Sequence, residues 1–140
     1  MAEDALELFY SYARADERLR DQIHKYLRPL RREDLLYVDE KHPSLSSAQI
    51  ILLLVSPDFV SSDHCMKVEV PAALRMHITG RARAIPVILR PCDWEITALS
   101  KIQVLPINGK PVTRWLNRDA AFTDIAKGIR RVIEEMRHSM

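Results

Sequence analysis

The stretch Ile50–Val70, IILLLVSPDFVSSDHCMKVEV, decides the fold. Its apolar residues Ile50 to Val55 stop abruptly at Ser56-Pro57-Asp58. An unbroken apolar run of strand length, closed by a polar turn, reads as a strand covered on both faces in the middle of a parallel sheet. The short polar turn leads into a helical segment from Asp63 to about Ile78, with Gly80 as its stop. In open α/β sheets, ligands bind beyond the carboxyl ends of the strands. Glu69, on the helix that this strand feeds, is therefore the first candidate for chemistry.

Working outward, the same alternation continues. Leu6 to Tyr10 reads as a first strand, and Asp16 as an N-cap for a helix carrying Leu19, Ile23, Tyr26, Leu27 and Leu30 at helical spacing. Leu35–Val38 reads as a second strand and Ala84–Leu89 as a fourth. Residues 91–116 are broken by Pro91, Pro106, Gly109 and Pro111, with Ile102–Leu105 as a short fifth strand. Phe122, Ile125, Ala126, Ile129, Val132, Ile133 and Met136 form the apolar stripe of a last helix that starts near Asn117 or Asp119. Strands alternating with helices predict right-handed βαβ crossovers and a parallel sheet with helices on both faces. One crossover is tight. Only Asp39–Gln49, DEKHPSLSSAQ, joins the second strand to the third, which leaves room for one or two helical turns at Ser44–Gln49.

Composition excludes several classes. The chain of 140 residues suits one domain, and 47% hydrophobic with 29% charged residues is ordinary for a globular protein. A net charge of +2 does not point to nucleic acid, and Arg31-Arg32 and Arg130-Arg131 read as solvated helix faces. No apolar run is long enough to span a bilayer, so no membrane partner is expected. Cys65 and Cys92 form no CxxC and read as reduced thiols, and the acidic start MAEDALELFY lacks a signal-peptide pattern, so a cytoplasmic protein is expected. His24, His42, His64, His77 and His138 are scattered, so no metal site is expected. Gly80, Gly109 and Gly128 fall in no phosphate-binding loop.

Two places remain. The turn after the first strand, Ser11-Tyr12-Ala13-Arg14-Ala15-Asp16, can bind a phosphate or sugar through Ser11, Tyr12 and backbone amides, with Arg14 on the phosphate. The plainer alternative is a capped helix start with a surface arginine. Glu69 can act as a base or stabilise a cationic sugar. Cys65, one turn earlier, shares its helix face by α-helical spacing, whereas His64 points elsewhere. From spacing alone, a solvated Glu69 and a core Cys65 remain the simpler reading.

The residues together resemble a prokaryotic Toll/interleukin-1 receptor (TIR) domain. FYSYARAD (9–16) is similar to that family's first box, and AQIILLLVSPDFVSSDHCMKVE (48–69) to its serine–cysteine–glutamate segment. AIPVILRPCDW, LPINGKPVTRW and RDAAFTDIAKGIRRVIEE follow in the family's order, so that the resemblance covers nearly the whole chain. It implies a flavodoxin-like three-layer fold with a five-stranded parallel sheet in order 2-1-3-4-5. It also implies an NAD glycohydrolase that cleaves the nicotinamide–ribose bond in defence signalling, with no cofactor besides the substrate NAD. The alternative it leaves open is a catalytically silent TIR–TIR interaction module. Glu69 matches the family's catalytic glutamate. Ser11, Tyr12, Arg14 and Cys65 match residues lining the nucleotide cleft. Other TIR domains are the implied partners, as a homo-oligomer on activation. Two departures stand out: the second crossover is shorter than in family members, and His64 replaces the aromatic usual before the cysteine.

Overall fold

Every side chain of Ile50–Val55 is buried, which puts this strand, β3, at the centre of the sheet. The structure, a computed structural model, describes residues 5–138. β3 pairs in parallel with β1 (Leu6–Ser11) on one side and with β4 (Arg83–Ile88) on the other. β2 (Leu36–Tyr37) lies outside β1, giving the parallel order β2-β1-β3-β4 of a flavodoxin-like sheet. Alternate residues of β3 serve two cores. Ile50, Leu52 and Leu54 pack with Leu6, Leu8 and the helical stripes of Ile23, Leu27, Ile125 and Ile129. Ile51, Leu53 and Val55 pack with Phe59, Cys65, Val70 and Ala73 on the opposite face.

The helices follow from the same pattern. α1 (Glu17–Tyr26) and α2 (Arg28–Arg32) share one apolar stripe interrupted at Leu27. α1 docks on the terminal helix α5 (Arg118–His138), where the Tyr26 ring stacks on Phe122 at 5.2 Å and the Tyr26 hydroxyl donates to Asp119. The Asn117 side chain caps α5 by accepting from the Ala120 N–H at 3.1 Å. Arg31 is more than a solvated residue, since its Nη2 donates to the His24 carbonyl at 2.9 Å. The polar turn after β3 is itself helical: α3 (Pro57–Ser61) is capped by Ser56, whose Oγ accepts from the Phe59 N–H at 3.1 Å. A π-helical segment (His64–Glu69) then runs into α4 (Val70–Ile78), and Gly80 ends the helix with φ of 78°.

Three expectations are corrected. Ser44–Gln49 forms a turn and no helix. The crossover is held instead by Glu7 of β1, whose carboxylate accepts from Ser47 Oγ at 2.8 Å and from the Tyr37 hydroxyl at 3.2 Å, while its carbonyl accepts from the Gln49 N–H at 2.9 Å. The fifth strand reduces to a parallel bridge of Leu105 to Val87. Even-numbered residues of β4 face that edge, and there Pro86 has no N–H to offer, while the Ala84 N–H is taken by His77 Nδ1 at 3.0 Å. Leu105 is instead locked from the side by Gly128 of α5, where an added Cβ would lie 2.6 Å from the Leu105 side chain.

The third correction concerns Asp16, whose side chain caps no helix. It is only 2% exposed, and its carboxylate accepts from Ser56 Oγ and, at 2.9 Å, from Arg90 Nε. Arg90 also donates to Asp58. The hydrogen bond to Asp16, ahead of the one to Asp58, holds the Arg90 guanidinium above its ordinary pKa. Asp16 follows β1, Ser56 follows β3 and Arg90 follows β4, so one carboxylate ties together the carboxyl ends of these strands.

Removing the Asp16 carboxylate leaves the buried Ser56 hydroxyl without its acceptor, while Arg90, 31% exposed, keeps Asp58. Asp16→Ala is expected to lose roughly 1–3 kcal/mol of unfolding free energy, measured by denaturant titration. A loss under about 1 kcal/mol would show that Ser56 and Arg90 find equivalent partners in solvent. The His77 contact predicts a pH effect. Burial, and then Arg83, lower the His77 pKa. The folded state therefore binds fewer protons than the unfolded chain, and stability should fall as pH drops from about 6.5 through the lowered folded value. His24, also lowered mainly by burial, acts in the same direction. Thermal melts of His77→Gln, which keeps an acceptor for Ala84 but does not titrate, should show a shallower fall than wild type between those pH values. An unchanged slope would assign the effect to other groups.

Candidate active site

At its carboxyl end β1 stops short of its neighbour. Ser11, its last residue, pairs with Leu53, and β3 runs on through Leu54 and Val55 beside β4. The chain leaves β1 through Tyr12 and Ala13 into a single 3-10 turn, Arg14–Asp16, that is pinned by the buried Asp16. A cavity of about 410 Å³ opens here, lined by Tyr10, Tyr12, Arg14, Glu17, His64 and Glu69. Such a volume is within the ~300–1,000 Å³ of small-molecule sites.

Glu69 reaches this cavity from the far end of the π-helical segment. The sequence explains the wide turn. Pro71 sits two residues on and has no N–H for the i→i−4 bond, and its ring would crowd the preceding turn of a regular α-helix. One extra residue per turn relieves this, and the Val70 N–H bonds to the Cys65 carbonyl, five residues back. The consequence for side chains is direct. His64, five residues before Glu69, comes round to the same face, and its Nε2 lies 3.5 Å from Glu69 Oε2. The expectation that His64 points elsewhere is thus reversed, because it assumed α-helical spacing.

Cys65 moves the other way. It is 3% exposed, packs in the core with Ile51, Leu53 and Phe59, and is absent from the cavity wall. Burial is the main reason its thiol pKa is raised. The Cys65 N–H donates to Ser62 Oγ at 3.2 Å, which ties down the start of the π-helical segment. Its place is therefore behind the site as packing, and the expected role in the cleft gives way for that reason.

Ser11 and Glu69 meet across the sheet–helix boundary. The Ser11 side chain is buried, and its Oγ donates to Glu69 Oε1 at 2.7 Å. One carboxylate oxygen is thereby fixed, and the other faces His64 and the cavity. Glu69 retains 17% side-chain exposure, enough for a ligand to reach it. Arg14 is exposed and lines the same cavity. Tyr12 forms a ridge, with the Arg20 guanidinium carbon 4.8 Å from its ring centroid. The arrangement offers an anchored carboxylate to a cationic centre, an arginine to an anion, and the aromatic surface of Tyr10 and Tyr12 in the same cavity. Ser11, Tyr12, Arg14 and Glu69 are brought together. Tyr10, Glu17 and His64 line the same cavity without having been singled out for it, and Pro71 was the signal from which the position of His64 could have been read.

Among the described residues no helix is long and apolar enough to cross a membrane. A family model described as "TIR domain" matches residues 8–126. The chain is also 39% identical over 136 residues to the uncharacterized protein y4lF of Sinorhizobium fredii (strain NBRC 101917 / NGR234), across 88% of this chain and 42% of that bacterial protein. It thus spans less than half the length of this relative. With most of its length matched by the family model, on a parallel sheet in order 2-1-3-4, the chain belongs to the TIR domain family.

Proposed function

We propose that this TIR domain is an NAD glycohydrolase in which Glu69 is the catalytic carboxylate. The observation that carries the reading is the 2.7 Å hydrogen bond from buried Ser11 to Glu69, which fixes the carboxylate in a cavity that also holds Arg14 and Tyr12. In NAD the bond from ribose C1′ to the pyridinium nitrogen breaks, and its electron pair leaves with neutral nicotinamide. The positive charge passes to an oxocarbenium-like ribose. An oriented carboxylate in a partly desolvated cleft stabilises that charge more than water does. Water then adds to C1′ and gives up a proton, leaving ADP-ribose. Ser11 prevents Glu69 from swinging into solvent, and Arg14 offers a counter-charge to the pyrophosphate.

The second reading is a signalling module that works by binding, since TIR domains commonly associate with one another. The turn at Ser44–Gln49 in place of a second crossover helix favours it, because the crossover adds no residue to the lining of the Glu69 cavity. Both readings can hold if assembly supplies that lining. Positioning of the substrate is worth several kcal/mol in catalysis, so an open cleft should be slow in the dilute monomer.

Nicotinamide release from NAD is expected to rise more than in proportion to protein concentration or on adding a crowding agent. Glu69→Ala should abolish it, and Ser11→Ala should lower kcat by about 10-fold or more with the fold intact. Full activity in Glu69→Ala rules out this carboxylate. No nicotinamide release under either condition leaves the binding module as the function.

A further inference from the structure

A second cavity of about 410 Å³ adjoins the Glu69 cavity, sharing Tyr10 and Tyr12 with it. It exists because β2 pairs only with Leu6 and Glu7. Beyond that point the outer edge of β1 faces Val38–Pro43 across a gap, with α1 on one side. Leu8, Phe9 and Val38 give it apolar surface. Its charged groups are uneven. Arg20 and Asp21 of α1 are paired with each other at 2.8 Å. Asp39 and Glu40 of the crossover have no lysine or arginine partner among the described residues.

These two carboxylates are also oriented. The Asp39 carboxylate accepts from the His42 N–H at 3.0 Å, which sets its direction from the crossover. The Tyr10 hydroxyl lies 3.0 Å from His24 Nδ1. The other ring nitrogen of His24, Nε2, is 3.4 Å from Glu40 Oε1. Tyr10 is a buried phenol and keeps its proton, so with His24 neutral the chain runs from the Tyr10 O–H through His24 to Glu40. Oriented acceptor oxygens above an apolar floor suit a nucleoside: the base rests on the floor, and the ribose hydroxyls donate to the carboxylates. The cations fit the same path. Arg14 lines the Glu69 cavity and Arg20 the second one, with its guanidinium over the ring of Tyr12, which lines both.

We propose that this cavity holds the adenosine half of the dinucleotide, and that Asp39 and Glu40 select a free ribose 2′-hydroxyl over a 2′-phosphate. The inference rests on the NAD reading of the Glu69 cavity. The pyrophosphate crosses the Tyr12 ridge between Arg14 and Arg20. A free 2′-hydroxyl can donate to a carboxylate, whereas a 2′-phosphate sets like charges against each other, and the arginine of this cavity, Arg20, is already paired with Asp21 and lies over the Tyr12 ring. The domain therefore acts on NAD in preference to NADP.

The test separates binding from cleavage. Calorimetric titration of the whole chain, as wild type and as Glu69→Ala, with 5′-AMP and with adenosine 2′,5′-bisphosphate should show 5′-AMP bound at least about 10-fold more tightly in both proteins. The double variant Asp39→Asn/Glu40→Gln, whose positions are exposed and whose folding is checked by thermal melting, should narrow that preference about 10-fold and narrow the NAD-to-NADP ratio of kcat/KM likewise. Equal binding of the two adenosine probes by wild type overturns the inference, even if NAD is cleaved. So does a preference that survives the double variant. Should 5′-AMP show the expected preference while no dinucleotide is cleaved, the adenosine site stands and the glycohydrolase reading falls.

Discussion

Burying a carboxylate is costly unless every strong acceptor direction is met, and the Asp16 side chain is almost wholly withdrawn from water. Its cost is offset by Ser56 and by Arg90, residues that follow different strands of the sheet. The contact is therefore made only when β1, β3 and β4 are in register. Once made, it fixes the loop after β1, and that loop carries Tyr12 and Arg14 into the candidate site. Ser56 has a double role: its oxygen donates to Asp16 and accepts from the first turn of α3. The start of the helical connection that delivers Glu69 is thus bolted to the same carboxylate. A buried ion pair of this kind adds less to net stability than apolar packing of equal volume would, but it specifies one arrangement of the strand ends.

The sheet is incomplete at both edges, and space opens at each. β2 has two residues, so the upper half of β1 lacks an outer neighbour, and a cavity forms against residues 38–43. At the other edge Pro86 offers no donor and His77 occupies the Ala84 N–H, so among the described residues only Leu105 bridges to that edge of β4. A second cavity, of about 360 Å³, lies along that edge and is lined by Arg83, Lys101 and Arg131 among others. Unpaired edges invite association, and here charged side chains and irregular segments cover them. The Glu69 cavity is of a different origin, since it sits where β1 ends below β3 rather than along an edge.

Much of the fold was legible because one physical signal dominated. The bounds of β3 coincide with its apolar run, since a strand covered on both faces tolerates no polar residue. The stripe of α5 and the stop at Gly80 were legible for similar reasons of periodicity and backbone freedom. The site was legible in part: Ser11, Tyr12, Arg14 and Glu69 do converge. Where the reading failed, a local rule had been outvoted. Asp16 has the right type and place for an N-cap, but Arg90, seventy-four positions away, offers a charge that two backbone amides do not match. His64 joined the Glu69 face because Pro71 widens one helical turn, whereas Cys65 lies in the core, as its spacing had suggested before the resemblance placed it in the cleft.

Residue order alone determined the parallel α/β architecture, the central position of β3 and the shortness of the crossover after β2. Each of these follows from hydrophobic periodicity or from counting residues between elements, and both are local. Tertiary structure alone decided which oxygen of Glu69 is held by Ser11, that His64 rather than Cys65 stands beside it, and that the space over β1 continues past Tyr12 toward Asp39 and Glu40. These depend on side chains from distant segments meeting at distances of a few ångströms. No periodicity encodes such meetings, because they are set by how strand ends, helix turns and a short crossover fit together in three dimensions.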